Sequence, residues 1–361
     1  MKVSSIFKVI ILYCVFAIAA QAQEKTPFKL QVHGYGQVGY SATFPQNGKA
    51  GHTFNINKVE MLATAQLTKH WDAGIIIRFN APVQISELYT GYEIMPELKL
   101  RLGQIKTPFG IENQIAPFLN DLISGGSNPT LYFAGIAGDP RYFGTGGRDL
   151  GLELSGRLFG GVLSYNAAVM NGNGINRLAT ISPKVFGAAL HISPRKSGFT
   201  GTVSYLGGRA ASMKDGKAYT RHRASVGAEW KNKAVHLVTE YMYGSETDVR
   251  MPQQGRENPS EGERPAPELI NVQAHGAYVT TAIHLPKRTD LIIAADYLNR
   301  DSATKNALCT ATLGVQHWFR KACRVQFEYQ YRHLQGQNPF LAVRSSGHSG
   351  HNIAVQVQAA F

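Results

Sequence analysis

The chain has 361 residues, of which 37 are Lys or Arg and 24 are Asp or Glu, so its formal net charge is +13. Only 17 % of the residues are charged, whereas Gly (37), Tyr (16) and Phe (17) are abundant, which favours β-structure with many turns over a helical protein. Beyond residue 22 no segment approaches the ~20 apolar residues of a membrane-spanning helix. A basic chain suits an anionic partner: nucleic acid, lipopolysaccharide or small anions.

The first residues have the features of an export signal. Two early lysines precede an apolar run over residues 9–20, and small residues stand at Ala20 and Ala22, the positions that a signal peptidase reads. We therefore expect residues 1–22 to be a cleaved signal peptide and residues 23–361 to form one β-barrel domain. Export argues against nucleic acid as a partner.

Alternation of apolar and polar residues with a period of two is the dominant pattern of the chain. In residues 353–361 every second position is apolar, with Gln356 and Gln358 between them, and residues 324–332 repeat the pattern. Such an apolar face is either the core of a soluble β-sandwich or the lipid-facing surface of a transmembrane barrel, whose polar face then lines a wet lumen.

The lengths of the connections favour the barrel. Short turns alternate with longer loops, among them 107–148 and the polar, Pro-rich 244–268. The candidate strands are 28–41, 52–67, 71–79, 85–94, 98–106, 149–156, 161–170, 183–192, 199–206, 219–230, 234–243, 269–285, 289–298, 307–319, 323–334 and 350–361. We predict an all-β fold: a transmembrane antiparallel β-barrel of about 16 strands with long extracellular loops, short periplasmic turns and an aqueous lumen.

The chain ends in Phe361, at the close of an alternating apolar strand. A final strand of this kind resembles the signal that the barrel assembly machinery of the bacterial outer membrane reads. We therefore expect the protein in the bacterial outer membrane, with membrane lipid, lipopolysaccharide and, through Phe361, the barrel assembly machinery as partners.

Five segments carry a family resemblance that extends over nearly the whole chain after residue 22. The most specific is residues 101–110 (RLGQIKTPFG), and the others are 147–156 (GRDLGLELSG), 165–172 (YNAAVMNG), Glu240-Tyr241 and the hairpin 312–331. Together they resemble the phosphate-selective porin O and P family. The resemblance implies a homotrimeric, sixteen-stranded porin that conducts anions such as phosphate.

A channel needs charged side chains that face water, rather than catalytic groups. Arginine suits phosphate because its planar fork can donate two hydrogen bonds, and lysine acts as a point charge. The alternation, together with the expectation that loop 107–148 folds inward as a constriction, predicts a set of pore-lining basic residues that attract anions. They are Lys58, Arg78, Lys99, Arg101, Lys106, Arg141, Arg148, Arg221, Arg223, Arg324 and Arg332.

Carboxylates on the same predicted faces could neutralise much of this charge, and a basic residue of a wet wall is often simply paired. The inward acidic candidates are Glu60, Glu87, Glu93, Glu229, Glu240 and Glu328. Residues 113–140 contain no Lys or Arg, unlike the constriction loop of the family that the chain resembles. The sequence therefore favours a preference for anions more than a specificity for phosphate.

Large aromatic residues near the strand ends have two interpretations. Trp71, Trp230, Trp318, Tyr241 and Tyr243 are expected to form a girdle at the membrane interface. The alternative is a surface inside the pore on which sugars stack.

Three functions remain open from the sequence. A passive, anion-biased channel is the main prediction, and a general non-selective or purely structural barrel is one alternative. The other is a barrel hydrolase, for which Ser345, Ser346 and His348 share one loop but no spacing builds a triad. We predict no catalytic residue, no metal site and no cofactor.

Overall fold

The computed structural model describes residues 28–80, 82–136, 146–178, 184–211, 218–250, 268–303, 306–335 and 349–361. The predicted signal peptide, Arg141, Ser345, Ser346 and His348 lie outside these residues. Among the described residues, no helix is long and apolar enough to cross a bilayer.

Sixteen strands account for most of the described chain. They are β1 (Lys29–Pro45), β2 (Gly51–Gln66), β3 (Trp71–Arg78), β4 (Gln84–Met95), β5 (Leu98–Lys106), β6 (Arg148–Leu158), β7 (Leu163–Met170), β8 (Val185–Ile192), β9 (Phe199–Ala211), β10 (Ala218–Lys231), β11 (Val235–Arg250), β12 (Glu268–Leu285), β13 (Thr289–Asp301), β14 (Asn306–Arg320), β15 (Cys323–Gln335) and β16 (Gly350–Ala360). One α-helix, α1 (Asn128–Phe133), and the 3-10 turns Glu112–Gln114 and Pro117–Leu119 lie between β5 and β6.

Each strand pairs antiparallel with its neighbours in the sequence, and β1 pairs with β16 to close the barrel. The closure reaches the last residue, because Gly34 and Phe361 exchange two backbone hydrogen bonds of 3.1 and 2.9 Å. A closed barrel leaves no unpaired edge. The predicted all-β antiparallel barrel of sixteen strands is therefore confirmed. Four strands extend into predicted connections: β1 continues to Pro45, β9 to Ala211, β11 to Arg250 and β13 to Asp301. Residues 244–250 of the predicted loop 244–268 and residues 299–301 therefore belong to strands.

The two faces of the barrel have the polarity of a transmembrane barrel rather than of a soluble sandwich. Large apolar residues such as Val226, Leu313 and Phe327 are half exposed on the outer surface. Inside, Gln356 donates to Gln326 at 2.8 Å, and both are almost completely buried. An apolar outer band around a polar interior is the pattern of a barrel in lipid.

The main apolar cluster lies inside the barrel. Phe109, Ile111, Tyr132 and Phe133 from the β5–β6 connection contact inward residues of β7 to β13, which are Ala168, Met170, Val185, Leu206, Val238, Met242, Ala274, Tyr278 and Leu298. The sequence predicts a polar inner face, and on this side of the barrel the inner face is polar only in part, because apolar residues alternate with buried polar ones such as Ser204, Arg223 and Glu240. The connection brings apolar side chains into the lumen, and apolar side chains of this wall pack against them.

Gly103 in β5 provides a test of how tightly the wall is built. Its φ is +142°, and a Cβ there would clash with the carbonyl oxygen of Leu88 on β4. We expect Gly103→Val to lower the free energy of unfolding in urea by about 1–3 kcal/mol or more, because strain at such a φ adds to the steric clash. Gly36→Val is the matched control, since no atom lies within 4 Å of the Cβ position of Gly36, and an equal loss in both variants would contradict the prediction.

Candidate pore constriction

Residues 107–136, called here the inner loop, run through the lumen and are bonded to its wall. The backbone N–H groups of a buried loop need acceptors, and carboxylates on the inward faces of the strands supply them. Ile111 N donates to Glu240 Oε2 at 3.0 Å on β11, and Ile123 N donates to Glu328 Oε1 at 2.6 Å on β15. The Asn128 side chain, at the start of α1, donates to Asp296 Oδ1 at 2.7 Å on β13.

Wall cations bind the carbonyl groups of the same loop. Arg223 on β10 donates to the carbonyl oxygens of Tyr132 and Phe133, and Arg324 on β15 donates to Asn120 O at 2.7 Å. Both arginines are only 1 % exposed. These two predicted pore-lining residues therefore lie in the lumen, but their guanidinium groups hold the inner loop instead of facing open water.

Three further arginines occupy this side of the barrel. Arg221 on β10 is buried, and Arg332 on β15 is partly buried with a 3.4 Å bond to Gln330. The guanidinium carbon of Arg300 lies 5.7 Å from the centre of the Tyr132 ring. Sequence reasoning missed Arg300, because it assigned residue 300 to a connection. The signal was present, since continuing the alternation of β13 past Leu298 would have placed Arg300 on the inner face.

The opposite wall keeps its cations partly exposed. Arg78 on β3 and Lys99 and Arg101 on β5 have side chains that are 22, 24 and 29 % exposed. Each of them is paired with a carboxylate. The pairs are Arg78–Glu60 at 3.0 Å, Lys99–Asp72 at 2.6 Å and Arg101–Glu153 at 3.5 Å. The contrast with Arg223 and Arg324 indicates that open space in the lumen lies against β2 to β5.

The inner loop meets both flanks of this open side. Lys106, at the end of β5, donates to Gln114 O at 3.2 Å and Ile115 O at 3.0 Å. On the other flank the ring centres of Tyr35 on β1 and Phe118 lie 5.4 Å apart. Between these two contacts the open wall of β2 to β4 faces the loop, so the loop narrows the lumen to an opening here.

Charged residues line this narrow opening. Arg148, the first residue of β6, is paired twice with Glu87 of β4, at 2.8 and 3.0 Å. Glu60 is paired with Arg78 and accepts a hydrogen bond from the Tyr35 hydroxyl. Among the described residues, four cations, two carboxylates and one phenol therefore surround the opening. They are Lys58, Arg78, Lys106, Arg148, Glu60, Glu87 and Tyr35.

The inner loop also reaches the end of the barrel where the short turns lie. Asp121 accepts a hydrogen bond from Gln316 at 2.9 Å and lies 3.6 Å from His236, which in turn lies 3.0 Å from Glu229. A side chain of Gln326 binds the Asp121 carbonyl at 3.0 Å. The loop therefore passes along the length of the lumen instead of crossing it at a single level.

Trp318 lies on the inner face at the same end of the barrel. The prediction that it belongs to a girdle at the membrane interface is therefore wrong. Its indole donates to Asp290 at 2.9 Å, and Arg324 lies over its ring at 4.7 Å. It follows Gln316 by two residues, so it shares the inward parity of β14. Trp230, Tyr241 and Tyr243 are exposed on the outer face.

No family model matches the chain. No curated protein matches it by sequence either. Among solved structures it is similar to the anion-selective porin from Comamonas acidovorans, with a TM-score of 0.67 and 11 % identity over 93 % of this chain and 100 % of that one. It is similar to the outer-membrane channel DcaP of Acinetobacter baumannii, with a TM-score of 0.64 and 12 % identity over 94 % and 99 %.

A third similar structure is that of Salmonella typhi OmpF in complex with daunomycin, with a TM-score of 0.65 and 15 % identity over 92 % of this chain and 98 % of that one. The chain has the fold of outer-membrane porins. Identities this low establish the fold alone, and the resemblance to the phosphate-selective porins stays a prediction.

Glu112 of the inner loop gives a prediction about pH. Its buried carboxylate accepts hydrogen bonds from Ser127 N at 2.8 Å and Ser127 Oγ at 2.7 Å, and burial raises its pKa. The folded state therefore holds this proton more tightly than the unfolded state, and its free energy of unfolding falls as pH rises from the ordinary range of a glutamate through the raised pKa. A glutamine side chain at this position would keep an acceptor but could not ionise.

We expect Glu112→Gln to gain stability relative to the wild type as pH rises through this window, measured by urea unfolding across a pH series. Glu112→Ala is the control for loss of the two bonds and should be less stable at every pH. A constant difference between Glu112→Gln and the wild type would contradict the prediction.

Proposed function

We propose that the protein is an outer-membrane porin, a passive aqueous channel for small hydrophilic solutes, with a bias towards anions. The observation that carries the proposal is the partly exposed, basic wall of β2 to β5 facing the inner loop. A channel of this kind does not convert its solute chemically. Solutes need only a continuous wet path and a favourable potential along it.

The bias towards anions rests on unequal numbers of charges among the described residues of the constriction. The cations Lys58, Arg78, Lys106 and Arg148 outnumber the carboxylates Glu60 and Glu87 by four to two. Lys106 has the largest expected effect, because its hydrogen bonds are to two peptide carbonyls rather than to a carboxylate. Low-dielectric walls focus the field of such a surplus into the water between them.

Phosphate or a similar anion is the proposed permeant solute. The family resemblance and the similarity to a structure described as an anion-selective porin support an anionic solute. Phosphate specificity has less support, because Arg148 already donates from Nε to Glu87 and from Nη1 to Gly146 O. A bidentate arginine site for phosphate needs those donors. The proposal is therefore a channel that prefers anions as a class.

The cellular setting belongs to the same proposal. The protein would be exported by a cleaved signal peptide, inserted by the barrel assembly machinery that recognises Phe361, and surrounded by lipid and lipopolysaccharide. The apolar outer face of the barrel supports residence in a membrane. A homotrimer is proposed from the family resemblance.

Planar-bilayer recording in a salt gradient tests the proposal, because the reversal potential gives the ratio of anion to cation permeability. We expect the wild type to favour anions. Lys106→Gln should lower the ratio several-fold, since one charge at about 4 Å is worth about 1 kcal/mol even in bulk water. Lys233→Gln, on the exposed turn between β10 and β11, is the matched control and should leave the ratio nearly unchanged.

Two outcomes would overturn the proposal in different ways. A preference of the wild type for cations would remove the anion bias while leaving a porin. Bilayers that stay electrically silent with folded barrel inserted would remove the channel altogether.

A further inference from the structure

Four glycines on the inner face of the barrel share an unusual position. Gly187, Gly227, Gly244 and Gly276 lie within β8, β10, β11 and β12, and none is among the described residues with a positive φ. Glycine weakens a strand, and one in a strand interior often marks a close approach by another group. Since backbone conformation does not require these glycines, the reason for them lies in what faces them.

Each of the four faces an apolar side chain of the inner loop. A Cβ on Gly244 would lie 2.9 Å from the Phe133 ring, and one on Gly187 would lie 2.9 Å from Pro108. The equivalent contacts are 2.9 Å from Gly276 to Pro129 and 2.8 Å from Gly227 to Ile111. We call these four positions the glycine sockets.

The sockets at Gly187 and Gly244 depend on side chains alone. A Cβ on Gly227 or Gly276 would also approach a strand carbonyl oxygen, that of Thr239 at 2.6 Å or Tyr297 at 2.8 Å. At Gly244 the other contact is the Arg223 side chain at 3.5 Å, which is an ordinary distance. A substitution at Gly244 is therefore the most direct test of how Phe133 packs against the wall.

We propose that the glycine sockets keep the inner loop docked on β8 to β12 while the channel conducts, and so determine the size of the solutes that pass. The path is then confined to the narrow space along β2 to β5, which admits small inorganic anions and rejects solutes of disaccharide size. This inference rests on the proposed channel function and adds the residues that limit its size.

The composition of the docked segment supports a fixed loop rather than a mobile gate. Phe109 and Phe133 are completely buried, and Tyr132 is 1 % exposed. Pro108 and Pro129 restrict the backbone at two of the sockets. Segments that open readily have few buried apolar contacts and exposed backbone hydrogen bonds, whereas Arg223 and Asp296 bind this segment from the wall.

Gly244→Val fills the socket of Phe133 without forcing the strand into an unfavourable conformation. We expect this variant to displace the loop and to give a several-fold faster swelling of proteoliposomes in a disaccharide, together with a larger single-channel conductance. The matched control is Gly36→Val, on the outer face with open space at its Cβ position, which should behave like the wild type. Far-UV circular dichroism establishes that each barrel is folded.

A compensating variant keeps the test decisive if Gly244→Val folds poorly. Phe133→Ala removes the ring that the new valine would meet, so Gly244→Val with Phe133→Ala should fold as well as Phe133→Ala alone and should also admit the disaccharide. If the wild type conducts ions and its exclusion of disaccharide is unchanged in both folded variants, the sockets do not set the size limit. If the wild type does not conduct at all, the proposed function fails instead.

Discussion

The inner loop can exist inside the barrel only because the wall supplies hydrogen-bond partners for its peptide groups. A lumen that is filled by a loop has little water to satisfy N–H and C=O groups, and each buried group left without a partner costs about 1–3 kcal/mol. Glu240 and Glu328 accept from loop N–H groups, while Arg223, Arg324 and Gln358 donate to loop carbonyls. Many polar residues of the lumen therefore hold the inner loop in place, and their hydrogen-bonding groups are not free to bind a solute.

This requirement divides the basic residues into two groups with different roles. Arg223 and Arg324 are buried because they serve the loop, and their removal would affect the docking of the loop first. Arg78, Lys99 and Arg101 remain partly exposed beside carboxylates. A paired charge in a wet wall acts at a distance as a dipole, so its field falls off faster than that of a single charge. A count of inward arginines alone therefore overstates the potential of the pore.

Much of the barrel could be predicted from the sequence, because a strand in lipid must alternate and a closed sheet must have partners for every edge. The last strand, β16, which ends one residue before Phe361, showed this most clearly. Trp318 and Arg300 were misplaced for opposite reasons. For Trp318 a general preference of aromatic residues for the interface was given priority over the parity set by Gln316, and for Arg300 the parity was abandoned too early at a presumed connection. The docking of the loop could not be predicted, since it depends on contacts such as Phe133 with Gly244 that join residues 111 positions apart in the sequence.

The asymmetry of the lumen links these points. One side carries an apolar cluster and glycines that accommodate the loop, and the other carries exposed charge. Burying Phe109 and Phe133 against β7 to β13 provides the free energy that keeps the loop away from β2 to β4, at about 25 cal/mol per Å² of apolar surface. On the open side Lys106 contributes the opposite constraint, because its bonds to Gln114 and Ile115 tie the edge of the loop to β5. The same ammonium group thus holds the edge of the loop beside the opening, so in the proposed channel Lys106 contributes both to the position of the loop and to the positive charge along the path.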